Sequence, residues 1–147
     1  MMKRAIAALL AWTLVACAAT PPAKLQAQEK RRAFPQPFSE VWSAVVDVIA
    51  TLGFSLEAME KESGLITTSP GQISIEYVNC GSSLFTVTTE ARGKLNLYVK
   101  AETDSSSVVQ INTFFEGLNQ GIGEYWLRCE SNGKLESELF SLVESLL

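Results

Sequence analysis

Histidine is absent from all 147 residues, which removes the commonest general acid and base together with the commonest transition-metal ligand. Ser-His-Asp and Cys-His catalytic arrangements are therefore excluded. Cysteine is scarce, with three in the chain, and a structural zinc site would need all of them and more. No metal and no cofactor is expected. An excess of positive charge is missing too: the net charge is -4, so a general nucleic-acid surface has no electrostatic basis. Nowhere does an apolar run approach the roughly 20 residues of a transmembrane helix.

What is present begins with a leader. Lys3 and Arg4 form a short basic region, and residues 5–15 are apolar, with Thr13 the one polar side chain before Cys17. A core helix would carry a polar face, whereas a signal peptide needs this uninterrupted stretch. The stretch ends in Leu14, Val15, Ala16 and Cys17, which resembles the lipobox of bacterial lipoproteins. That resemblance implies that residues 1–16 are a lipoprotein signal peptide and that Cys17 is lipidated and becomes the first residue of the mature chain. Two or three acyl chains hold a protein at a membrane stably. Ala18 rather than Asp follows the cysteine, which by the same resemblance implies the periplasmic side of the outer membrane. The alternatives are an inner-membrane anchor or a soluble periplasmic protein.

Residues 17–33 are poor in large apolar side chains and carry Pro21 and Pro22. Such a stretch buries too little surface to offset its conformational entropy and reads as the lipidated N-terminus and a flexible tether. The cations Lys30, Arg31 and Arg32 read as a solvated charge run beside Glu29, with contact to anionic headgroups as the alternative.

Residues 34–147 are long enough for one domain. "PFSEVWSAVVDVIATLGF" carries Val41, Val45, Val48, Ile49 and Leu52 at helical spacing, with Trp42 and Val46 beside them. Ser39 is a suitable N-cap and Gly53 a suitable left-handed C′ residue. Short alternating runs follow between turn signals: 54–59, the turn 61–64, then "LITTS", Ile73 to Tyr77, 84–90, the turn "ARGK", 95–101, and Val109 to Phe115. Leu135, Leu139, Leu142, Val143 and Leu146 form a second helical stripe. The pattern predicts an α+β domain: a helix, an antiparallel meander of about five or six strands, and a C-terminal helix, with both helices on one sheet face.

Two stretches carry a further likeness. "FPQPFSEVWSAVVDVIATLGFSLEAMEKESGLI" is similar to the opening of helix-grip domains in small bacterial outer-membrane lipoproteins, including domains of the C component of the β-barrel assembly machinery. "YWLRCESNGKLESELFSLV" is similar to the closing helix of lipoproteins with the same layout. The chain has room for one such domain rather than two, so the likeness implies fold and compartment, not that component's role.

Candidate site residues are few. Cys80 and Cys129 are the thiols left once Cys17 is acylated, and in an exported protein two remaining thiols most often pair. Glu57, Glu60 and Glu62 cluster but lack the spacing of a calcium loop and read as a solvated face. "NTFFEGLNQGIGEYW" interleaves Gly117, Gly121 and Gly123 with Phe114, Phe115, Tyr125 and Trp126. It reads as a connection between the last strand and the last helix. Its aromatics either form a partner-binding surface or cap the core. The expectation is a non-catalytic, lipid-anchored accessory or interaction module with a protein partner in the envelope. The alternative is a carrier of a small apolar ligand between helix and sheet.

Overall fold

A computed structural model describes residues 29–81 and 83–147. Residues 1–28, with the leader, Cys17 and most of the expected tether, lie outside the described residues. The order is β1 (Arg31–Phe34), α1 (Phe38–Thr51), β2 (Leu56–Glu60), β3 (Leu65–Thr68), β4 (Gly71–Ile73), a short 3-10 turn (Ile75–Tyr77), β5 (Val78–Asn79), β6 (Val87–Thr103), β7 (Ser106–Gln120), β8 (Glu124–Ser131) and α2 (Lys134–Leu146). All strands pair antiparallel in an eight-stranded sheet, and both helices cover one face of it. The domain is α+β. Among the described residues no helix is long and apolar enough to cross a membrane.

The frame is the long β6–β7 hairpin, in which Gly93 faces Phe115, Leu95 faces Thr113, Leu97 faces Ile111 and Val99 faces Val109. Directly opposed residues share a face, so these pairs make one continuous apolar surface. Along the outer edge of β6 lie β4, opposite residues 91–93, and β3, opposite 96–98. Along the outer edge of β7, β1 pairs with 107–110 and β8 with 115–120, end to end.

Helix α1 buries Val41, Trp42, Val45, Val48 and Ile49 against that surface, and α2 adds Leu135, Leu139, Phe140 and Val143. Full burial of each such side chain contributes about 1.5–3 kcal/mol. Trp42 is therefore core, stacked on Phe38 with ring centroids 5.7 Å apart. Gly53 ends α1 at φ +79°: its N–H donates to the Ala50 carbonyl (3.0 Å) and that of Phe54 to Ile49 (3.2 Å). Those two bonds satisfy carbonyls that the helix end leaves free.

Several expectations need correction. Helix α1 starts two residues earlier than a Ser39 cap requires; Pro37 is the N-cap, with no side-chain capping bond. Proline supplies a preset φ and has no N–H to satisfy. The fold begins at β1, so Arg31, Arg32 and Ala33 belong to the domain and not to a tether ending at residue 33. Arg32 is not simply solvated: its guanidinium lies 4.7 Å over the Phe140 ring and pairs with Glu29 and Glu144. The hydrogen bond from Arg32 holds the Glu29 carboxyl below the usual range, and the same bond raises the Arg32 guanidinium. Eight strands replace five or six. Ile75 to Tyr77 form a 3-10 turn and not the end of a strand, and "ARGK" lies inside β6. Gly93 is small there for packing: a Cβ would collide with the Phe115 ring.

Candidate functional site

Strand alternation decides what the segment 112–126 can offer. It is not a connection but the end of β7, a turn at 121–123 and the start of β8. Phe115 points under the helices and is 2% exposed, with Gly93 on one side and Cys129 on the other. It is core, and the expectation that it joins a binding surface is withdrawn. Phe114, one residue earlier, points the other way and is 40% exposed. Trp126 shares the face of Phe114, whereas Tyr125 lies opposite Asn119 on the helix side, beyond the helices and half-exposed. The four aromatics thus divide among core, open face and sheet end.

The open face is built from the residues that alternate with the core. Arg92 and Arg128 flank Glu116 in one cross-strand row. The Arg92 Nε donates to Glu116 Oε2 at 2.7 Å, and its guanidinium carbon sits 4.1 Å above the Trp126 ring. Lys94 stands opposite Phe114 with Nζ 5.8 Å from the ring centroid. A groove of about 270 Å³ runs between Pro70, Lys94, Phe114 and Arg128. Farther along the same face a second groove of about 370 Å³ is lined by Arg31, Tyr98, Lys100, Val108 and Gln110, and Arg31 pairs with Glu102 at 3.2 Å. Exposed ion pairs and exposed cation–aromatic contacts each contribute only about 0–1 kcal/mol. They add little stability, yet they hold two aromatic rings in fixed orientation on an uncovered surface.

Of these cations only Arg31 was singled out from sequence, as part of the charge run at 30–32. The signal was available in "RGKLNLYVK", where Arg92, Lys94 and Lys100 fall on the polar phase of an alternating strand. Reading "ARGK" as a turn hid that phase.

Cys80 and Cys129 form a disulfide across 49 residues, with Cα atoms 4.4 Å apart. It fastens the segment after β5 to the helix-side face of β8. Tyr77 and the α2 entrance strengthen the same junction. The Tyr77 hydroxyl donates to Glu138 at 2.6 Å, and that bond, then burial and the nearby carboxylates, pushes its pKa up to about 12. Glu136, fully buried in the first turn of α2, accepts from Ser131 Oγ at 2.6 Å. It is a structural carboxyl that joins α2 to β8.

Glu57, Glu60 and Glu62 lie exposed on and beside the edge strand β2. Among the described residues no group of three or more His, Cys, Asp or Glu side chains converges as a metal site would. A cleft of about 300 Å³ opens between the end of α1 and β4, lined by Leu52, Phe54, Ile73, Tyr77 and Leu135. At the far end of the sheet Leu84 is 96% and Ile122 89% exposed, with Phe85 and Val87 also largely exposed. No protein-family model matches the chain, and no curated protein matches its sequence.

Proposed function

We propose that the mature chain is a non-catalytic module of the bacterial envelope, anchored through acylated Cys17 to the periplasmic side of the outer membrane, and that it presents its open sheet face to a protein partner. The observation that carries this reading is the pair of exposed rings, Phe114 and Trp126, held by Lys94 and Arg92 on a face that no other element covers among the described residues. Rigid aromatics beside arginine are the commonest anchors of protein interfaces. The lack of histidine argues against most acid–base chemistry, and the leader with its cysteine argues for the anchor.

The test is photo-crosslinking in cells from residues 114 and 126, with residue 57 on the edge strand as a control. A discrete protein adduct from 114 and 126, lost in Arg92→Glu, is expected. Equal labelling from all three positions, or none, would sink the proposal. Cys17→Ala is expected to release the protein from the membrane fraction and to remove the acyl mass. The carrier reading is favoured by one feature, the cleft in which Phe54, Ile73 and Leu135 face Ser55, Ser69, Gln72 and Ser74. Copurification of a small apolar molecule, abolished by Ile73→Trp, would support it.

A further inference from the structure

The structure assigns a second surface, at the sheet end formed by the turn 121–123 and the loop before β6, and we infer that it dips into the same lipid surface that holds Cys17. The inference rests on the anchored reading above.

Leu84, Phe85, Val87 and Ile122 are more than two-thirds exposed, the highest among large apolar side chains of the described residues. They come from two separate segments that the fold brings together: a Cβ on Gly121 would collide with the Phe85 carbonyl. Scattered exposed apolar residues are ordinary, but a contiguous cluster at one end of a small domain marks a surface meant to be covered. No helix, strand or edge of this chain reaches over it among the described residues.

Two geometric facts choose the occupant. First, β1 runs antiparallel to β7, so its N-terminal end points toward Gly121, and the Lys30 carbonyl still accepts from the Ile111 N–H at 2.8 Å. The chain thus enters the domain from the side of the apolar end. Second, the lengths agree. Ile111 to Gly121 is ten residues of strand, about 33 Å. Cys17 to Glu29 is twelve residues, which reach at most about 40 Å. An anchor at Cys17 can therefore lie level with Leu84 and Ile122, and with little slack.

The chemistry is apolar and not ionic. Residues 83–87 and 121–125 hold no Lys or Arg, and Glu124 is their one charge. The cations of the open face sit farther back, at Arg92 and Arg128. The contact is therefore a shallow insertion of side chains among zwitterionic headgroups, indifferent to salt.

The test uses the full lipidated protein in vesicles of phosphatidylethanolamine with a minor fraction of phosphatidylglycerol. With Cys17 acylated and Cys80 bridged to Cys129, Ile122→Cys offers a single free thiol for an environment-sensitive fluorophore. Its emission is expected to shift to the blue and to be quenched by nitroxide-bearing lipid, unchanged by added salt. A probe at Ser105→Cys, in the turn at the opposite end, is expected to stay water-like. Leu84→Cys repeats the measurement from the second segment, so a local distortion of the 121–123 turn does not decide the result. A protein that floats with vesicles while both probes stay water-like overturns the inference and leaves the anchor standing. Failure to float overturns both. Shielding that appears only when other envelope proteins are added overturns it in favour of a protein contact.

Discussion

The two faces of the β6–β7 hairpin are made by the same thirty-odd residues and do opposite things. On one, Leu95, Leu97, Val99, Val109, Ile111 and Phe115 are sealed beneath two helices. On the other, Arg92, Lys94, Tyr98, Lys100, Phe114 and Glu116 are exposed or half-exposed, with no element above them among the described residues. Most of the stability resides in the first face. The second contributes little to it and is free to carry recognition, because a change there leaves the core untouched.

The largest way to break that division is to unfasten the covered side. Cys80→Ser with Cys129→Ser frees a 49-residue loop and is expected to lower stability by about 4 kcal/mol on the chain-entropy estimate, read from the denaturant midpoint. Next, Leu97→Ala empties a fully buried site and is expected to cost about 2–5 kcal/mol. Lys94→Ala, three residues away on the other face, should change the same midpoint by no more than about 0.5 kcal/mol. If the two variants cost the same, the faces are not divided in this way. Gly93→Ala sits between these cases, since the added methyl pushes the Phe115 ring from its place. Overpacking of this kind costs about 1–3 kcal/mol, and Phe115→Leu in the same chain is expected to recover part of it.

The smallest effect is a pH dependence at the junction of the 3-10 turn and α2. Tyr77 has its pKa raised to about 12 by Glu138, against about 10 in an unfolded chain. A folded-state value above the unfolded one means that the contribution is complete below about pH 10 and disappears as the pH rises toward 12. Tyr77→Phe is expected to lower stability by a constant amount near neutrality and to flatten the profile in that window, because the contribution it removes is the one lost there. A profile identical to the parent protein's would show that the hydroxyl bond has no such role.

How much of this was legible in the sequence follows from the range of each signal. The stripes of α1 and α2 and the C′ role of Gly53 are local, written within a few turns of chain. Both helices and their common face were accessible that way. Phe140 and Glu136 were missed in α2, the first because it stands beside the regular stripe and the second because a buried carboxyl is visible only with its partner Ser131. The course of β6 through "ARGK" depends on pairing with β7, and no local rule tells a packing glycine from a turn glycine. The same gap hid β8. With "NTFFEGLNQGIGEYW" taken as a connection, neighbouring Phe114 and Phe115 looked alike, although alternation sends them to opposite faces. A four-residue strand such as β1 has almost no signal of its own; its position follows from the open edge that β8 leaves on β7.

That short strand has a mechanical meaning. Because β1 lies along the axis of β7 and the chain enters it from the side of Gly121, tension on the N-terminus is directed along the strand. A pull in that direction loads the hydrogen bonds of residues 31–34 in shear, all together, and not one after another as peeling would. Arg32, stacked on Phe140 and paired with Glu144, resists the same slip from the helix side. The entry of the chain into the domain thus resists extension along its own axis: a pull on the residues before Arg31 must shear the whole β1 ladder before the domain unravels.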